Sequence, residues 1–200
     1  MSEVGVERQI YLVRHGETEW SKSGKHTGRT DIPLTPLGRE QALDLGRRLR
    51  GHRFALVLTS PLSRAADTAR IAGFPDAEHV DDLMEWDYGE FEGRTTVEIR
   101  EDLPGWTIWT GPWHAGETDR QVGARTERVI ARSLDPSVDG DCLLFAHGHV
   151  LRVLTARWLG LPARQGALFA LGTATIGMLG WERSTRVIET WNEACHLDDD

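Results

Sequence analysis

The apolar run Ile10-Tyr11-Leu12-Val13 stops at Arg14-His15-Gly16, and that junction limits the fold more than any other segment of the chain. A buried strand that ends on a permanent cation, an imidazole and a glycine brings ligand-binding groups to a chain reversal, where open α/β sheets place their sites. The pattern returns far along the chain: Cys142-Leu143-Leu144-Phe145-Ala146 runs into His147-Gly148, followed by a helix-like stretch from Val150 to Leu159. A third apolar strand, Phe54 to Leu58, leads into Thr59-Ser60-Pro61-Leu62-Ser63-Arg64, which sets Arg64 in the first turn of a helix. Between them, Glu85-Trp86-Asp87-Tyr88-Gly89-Glu90-Phe91-Glu92-Gly93 forms an acidic, aromatic loop.

Strand and helix alternate along the rest of the chain, which predicts an α/β fold. Strands are expected at 9–14, 54–59, near 78–80, 142–146, near 167–171, 175–181 and 186–191. Helices are expected at 36–51, 62–72, near 95–101, 117–134 and 149–160. Thr35-Pro36 is a helix start, with threonine capping and proline in the first turn, and Leu37, Ala42, Leu45 and Leu49 read as that helix's apolar face. Two hundred residues, 40% of them hydrophobic, suffice for one sizeable core. No repeat or low-complexity linker divides them, so one domain is expected over 1–195, with a short acidic tail, expected to be disordered, at 196–200.

The net charge of −8 disfavours nucleic acid or an anionic membrane as partner, since both need clustered cations. Cys142 and Cys195 have neither metal-ligand spacing nor a disulfide framework, and the residues before Ile10 lack the basic and apolar regions of a signal peptide. A cytoplasmic location is expected.

Arginine's planar fork matches phosphate oxygens, and a neutral imidazole is a nucleophile near neutral pH; together they suggest phosphoryl chemistry. Hydrolysis of a phosphate ester needs the phosphoryl oxygens neutralised, an in-line nucleophile and a proton for the leaving alkoxide. His15, Arg14, Arg64 and His147 are candidates for the first two, with His147 expected to donate from a protonated or suitably tautomeric ring. The amides of Gly148 and its successors at a helix start would add donors. Glu85, Asp87, Glu90 and Glu92 all qualify as the acid, and their composition alone does not choose among them. The pair His147 and His149 could suggest a metal, but no third ligand stands at a recognisable spacing, so no metal and no cofactor are expected.

Arg14 to Trp20 reads RHGETEW, Ser60 to Arg64 reads SPLSR and Ala146 to Arg152 reads AHGHVLR. Together these motifs resemble the histidine phosphatase superfamily, the phosphoglycerate-mutase-like clan. The stretch Ser21 to Thr35 resembles its sedoheptulose-bisphosphatase and acid-phosphatase-like branch. The resemblance implies a single three-layer domain, a mostly parallel sheet with helices on both faces. It implies a phosphomonoesterase that acts on small phosphorylated metabolites through a phosphohistidine on His15, with Arg14, Arg64 and His147 around the phosphoryl group. It also selects Glu85 as general acid, and it points to Ser21, Thr27, Gly28, Trp86, Tyr88, Gly148, His149 and Arg152 for substrate contact. Arg152 reads equally as a surface helix arginine; Glu90 and Glu92 read as a solvated loop, and Trp106, Trp109 and Trp113 as an irregular cover of the site or as its apolar wall; Asp87 stays open.

Cofactor-dependent mutases of the clan carry a lysine after the acidic loop and an arginine pair in a longer insertion. Here the lysine's place falls near Thr95-Thr96, and no arginine pair occurs between Gly93 and Glu117. Hydrolysis is therefore expected over mutase transfer. A catalytically idle domain of the same fold is the rival from another class, although the nucleophile, acid and both arginines are present. A homodimer is left open.

Overall fold

The computed structural model describes residues 8–197. Six strands form one mixed sheet in the order β3-β2-β4-β1-β5-β6: β1 (Ile10–Arg14), β2 (Leu56–Thr59), β3 (Glu78–His79), β4 (Cys142–Ala146), β5 (Ile176–Glu182) and β6 (Thr185–Glu193). The pairings β1·β4, β2·β4 and β2·β3 are parallel, while β5 and β6 close one side as an antiparallel hairpin. The sheet is thus parallel through its centre and antiparallel at one edge.

The two-residue alternation of strand side chains assigns each face its helices. Ile10, Leu12, Leu58, Cys142 and Leu144 point to one face, against α5 (Asp119–Ser133) and α6 (Gly148–Trp158), where Val122, Val129, Val150, Leu154 and Trp158 are buried. Val13, Leu143, Phe145 and Ile176 point to the other, against α2 (Pro36–Arg48) and α3 (Ser63–Ile71) through Leu45, Leu49, Ala69 and Ala72. Leu37, expected in the core face of α2, is 48% exposed instead. It sits in the first turn, ahead of the part of α2 that reaches the sheet.

Two short helices complete the chain, α1 (Glu19–Ser23) and α4 (Thr96–Asp102), each started by a capping box, Thr18 with Ser21 and Thr95 with Glu98. The strand expected near 167–171 does not form; Ala163–Leu168 is a 3-10 turn followed by irregular chain. Its backbone serves side chains rather than a ladder: Arg152 Nε donates to the Gly166 carbonyl at 3.0 Å, and Arg14 Nη1 to the Leu171 carbonyl at 2.6 Å. Of the expected tail, His196 is tied by Nε2 to the Ala174 carbonyl at 2.8 Å, and Leu197 packs on the α2–α3 side. The rest of that tail, 198–200, lies outside the described residues, as does the start of the expected domain, 1–7. Among the described residues no helix is long and apolar enough to cross a membrane.

Candidate active site

β1 and β4 are register neighbours, with Arg14 beside Ala146, so the parallel pairing alone brings His15 and His147 together at adjacent strand ends. Their ring centroids are 5.2 Å apart. The turn after β1 is closely approached: a Cβ on Gly16 would collide with the Gly38 carbonyl of α2, so only glycine fits.

His15 Nδ1 lies 2.7 Å from the Gly16 carbonyl oxygen. A carbonyl only accepts, so Nδ1 carries the ring proton and Nε2 keeps its lone pair. Burial, aided by the positive charges of Arg64 and Arg14, pushes the His15 pKa well below the usual histidine value. The imidazole is therefore neutral, as a nucleophile must be.

Arg64 is fully buried. Nε donates to His147 Nδ1 at 3.0 Å, and its terminal nitrogens donate to the carbonyls of Thr27, Gly28 and Thr30 at 3.1, 2.8 and 2.9 Å. His147 accepts at Nδ1, so Nε2 bears the proton and faces Ser60 Oγ at 2.8 Å. Burial and the charge of Arg64 hold this ring neutral too. Of the two forms expected of His147, the protonated one is thus corrected: the ring is a neutral link between Arg64 and Ser60. Every nitrogen of Arg64 thus makes a hydrogen bond, whereas the Nε of Arg14 is buried with no hydrogen-bond partner.

Glu85 is 5% exposed and held through backbone amides. Oε1 accepts from the amides of Trp86 and Val150, and Oε2 from that of His149, all at 2.9 Å. Helix α6 has no side-chain cap of its own, and Glu85 satisfies the free N–H groups of its second and third residues from outside. This corrects part of a second expectation: of the amides of Gly148 and its successors, those of His149 and Val150 hold the acid and are not left for a phosphate, while that of Gly148 has no hydrogen-bond partner among the described residues. Oε2, with one bond against two on Oε1, has the spare capacity for a proton.

A cavity of about 160 Å³ is lined by Arg14, His15, Ser21, Thr27, Glu85, Tyr88, Gly148, His149, Arg152 and Leu171, together with Gly24, Lys25 and His26. Of the residues expected at the substrate, all but Trp86 stand on it or against it. The Ser21 hydroxyl is engaged in capping α1, donating to the Thr18 carbonyl at 3.0 Å. Gly28 lies just beneath, where a Cβ would come within 2.8 Å of the Trp86 carbonyl. Gly148 admits the guanidinium of Arg14, 3.3 Å from where a Cβ would stand. Arg152 lines the cavity with its guanidinium carbon 4.5 Å from the centroid of the Trp109 ring, which answers the surface alternative: it is a cavity residue held against an aromatic side chain. Trp86 is the exception. It is fully buried, its indole N–H donates to the Glu117 carbonyl at 2.7 Å, and it packs beneath the site against Trp109 and Trp113.

Two other acids of the loop serve structure. Asp87 Oδ1 accepts from the Gly89 amide at 2.9 Å and Glu92 Oε1 from the Thr30 amide at 2.6 Å. Among the described residues no three His, Cys, Asp or Glu side chains gather as a metal-binding group. Sequence reasoning missed Arg125, which is 5% exposed and donates to Glu117 Oε1 and Oε2 at 2.9 and 3.0 Å and to the carbonyls of Asp82, Met84 and Glu85 at 2.8, 2.6 and 3.1 Å. Its immediate neighbours in the chain carry no signal of that role. An arginine on the core face of α5, in line with Val122 and Val129, is itself the anomaly that could have flagged it.

The family model described as histidine phosphatase superfamily, branch 1, matches residues 10–194. An acid phosphatase of Mycobacterium tuberculosis is 42% identical over 181 residues, 89% of each chain. A sedoheptulose 1,7-bisphosphatase of Saccharomyces cerevisiae is 39% identical over 186 residues, 77% of this chain and 68% of that one. A Salmonella choleraesuis protein named as a probable phosphoglycerate mutase is 31% identical over 95% of each chain. A solved structure of a Mycobacterium tuberculosis open reading frame superposes with a TM-score of 0.88 at 41% identity, covering 92% of this chain and 97% of that one. With the motifs, the fold and the family model in agreement along nearly its whole length, the chain belongs to branch 1 of the histidine phosphatase superfamily.

Proposed function

We propose that the protein is a phosphomonoesterase that hydrolyses esters of small phosphorylated metabolites, sugar phosphates foremost, through a phosphohistidine on His15. The observation that carries this is the tautomer of His15: with Nδ1–H on the Gly16 carbonyl, Nε2 is a neutral lone pair on a residue of the cavity that also holds Arg14 and Glu85. The acid phosphatase and sedoheptulose bisphosphatase relatives support the same chemistry.

Nε2 attacks phosphorus while the ester P–O bond breaks, and Glu85 Oε2 gives its proton to the departing oxygen. The free Nε of Arg14 takes a phosphoryl oxygen, and Arg64 acts through His147 and the carbonyls it braces. Glu85, now ionised, then takes a proton from water; the water oxygen bonds to phosphorus, the P–N bond breaks, and phosphate leaves with Nε2 restored.

Hydrolysis is favoured over mutase transfer by one feature of the cover. The two arginines of the interval 93–117 make their hydrogen bonds within it, Arg94 with Asp102 at 2.6 Å and Arg100 with the Trp106 carbonyl at 2.9 Å, and neither lines the cavity where a bisphosphate would be retained. Rapid quench into alkali with radiolabelled phosphate ester tests the reading. Label on His15 and loss of turnover in His15→Ala are expected; label on another residue, full activity of the variant, or interconversion of 2- and 3-phosphoglycerate faster than phosphate release from any ester would overturn it.

A further inference from the structure

We propose that His26 and His149 form a paired imidazole subsite that takes hydroxyl groups of the leaving alcohol, which makes polyol and sugar phosphates the esters this cavity selects. The inference rests on the phosphatase reading and concerns only the leaving-group side of the cavity.

His26 is not in the reaction described above, yet it lines the same cavity as His15 and Glu85. Its Nε2 is 3.1 Å from Thr96 Oγ1, and its ring is 4.6 Å from that of Tyr88 and 5.4 Å, edge-on, from that of Trp106. The imidazole is therefore fixed on three sides. His149 is fixed in the same way: Nδ1 is 2.6 Å from the Tyr88 hydroxyl, the ring is 5.1 Å from that of Trp109, and the backbone amide is bound to Glu85. The two centroids are 6.1 Å apart.

Each ring thus has one nitrogen tied to a protein hydroxyl and one, Nδ1 of His26 and Nε2 of His149, with no hydrogen-bond partner among the described residues. Tyr88 stays protonated, because burial and the nearby Glu85 raise its pKa well above the usual value. Burial lowers the pKa of His26 to about 4 and that of His149 well below the ordinary value, so both rings are neutral near pH 7. A neutral imidazole nitrogen suits a hydroxyl, with which it exchanges one hydrogen bond, and offers a second phosphate no counter-charge. The cations of the same cavity are partly occupied. Arg152 has Nε and one terminal nitrogen committed to the Gly166 and Ala167 carbonyls at 3.0 and 3.1 Å, and Lys25 Nζ lies 5.9 Å over the Trp20 ring. A site built to hydrogen-bond a substrate hydroxyl discriminates strongly against the analogue without it.

Glycerol 1-phosphate and n-propyl phosphate share a carbon skeleton and differ in two hydroxyls, so the ratio of their kcat/KM values reads the subsite directly. The wild-type ratio should favour the glycerol ester about tenfold, the effect of one to two neutral hydrogen bonds. His26→Phe keeps the ring packing against Tyr88 and Trp106 and should bring the ratio close to one; His26→Asn, which returns an amide atom near the place of Nδ1, should restore most of it. A ratio unchanged in His26→Phe overturns the proposal. Should that variant not fold, 15N imidazole shifts of the wild-type protein decide: vanadate with glycerol should move the His26 and His149 resonances where vanadate with propanol does not, and identical spectra overturn the proposal as well. Failure of the phosphatase reading shows separately, as absence of phosphate release from phenyl phosphate by the wild-type protein.

Discussion

Replacing Arg125 by methionine removes a guanidinium that five acceptor atoms share, while keeping an unbranched side chain of similar reach in the core. The ion pair with Glu117 is its only charged contact among these, and the Glu117 side chain is only 16% exposed. Breaking one partner of such a pair costs about 3–5 kcal/mol, a large part of the roughly 5–15 kcal/mol that stabilises a domain, and leaves Glu117 with only the longer contact to Arg29 Nη2 at 3.7 Å as a charged partner. With an m-value of about 2 kcal/mol/M, the midpoint of urea unfolding should fall by about 1.5–2.5 M. Much of that loss is the weakened pairing of the carboxylate, so adding Glu117→Gln to the variant should recover at least ~1 kcal/mol, a coupling that a double-mutant cycle measures. Arg125 also holds the Glu85 carbonyl at 3.1 Å, and Glu117 Oε2 holds the Asp87 amide at 3.0 Å, so the segment that presents the proposed acid loses its support from behind. Arg125 is a positioning residue. Turnover of alkyl phosphates, whose leaving groups need the proton, should fall further than that of aryl phosphates. A midpoint shift equivalent to less than ~1 kcal/mol, or an equal loss for both ester classes, would refute the reasoning.

Glu85→Gln itself should slow alkyl esters far more than aryl esters in steady-state assays, because the amide keeps the shape of the side chain but cannot transfer a proton. Gly148→Ala places a methyl group 3.3 Å from the Arg14 guanidinium. Inorganic phosphate should therefore inhibit that variant at least ~10-fold more weakly, the loss of about one charge-assisted hydrogen bond, with little change in thermal stability. Stability should fall as pH drops below about 6.5: the unfolded chain protonates its histidines there while burial keeps His15, His26, His147 and His149 neutral, so the unfolded state binds the more protons. Denaturant titrations between about pH 7 and pH 5 should show that decline, at up to about 1.4 kcal/mol per pH unit for each such histidine, and a flat profile would contradict the neutral assignments.

The strand ends were legible because their signals are local: apolar runs that lead straight into Arg14-His15-Gly16 and His147-Gly148 are read within a few residues. What was not legible depends on partners distant in sequence. Arg125 meets Glu85 and Asp82 about 40 residues away, and His26 meets Thr96 at a separation of 70, so neither side chain carries a neighbour that betrays its role. The 167–171 segment failed for a related reason. Its apolar run is that of a strand, but the carbonyls of Ala167 and Leu171 are taken by Arg152 and Arg14 and not by a ladder. Helix α1, five residues long, offered too short a period to detect, and Trp86 followed the acid in sequence while turning its ring inward. The amides of His149 and Val150 misled because a free helix start usually awaits an external ligand, and the acceptor here is a side chain more than 60 residues upstream, 64 from His149.

A single residue, His147, separates the end of β4 from the start of α6. One inserted residue at that joint would turn the helix by roughly 100° against the sheet. Glu85, Arg14 and the His147 ring, all seated against that first turn, would lose their places together, and no single compensating substitution could restore all their contacts at once. The interval from Leu103 to Thr118 presents the opposite case. It backs the cavity residues Arg152 and His149 with Trp109 but supplies none of the groups proposed to handle phosphorus, and it can exchange its aromatics while the chemistry beneath stays intact. Change of substrate without change of reaction therefore has one open route in this molecule and one closed one.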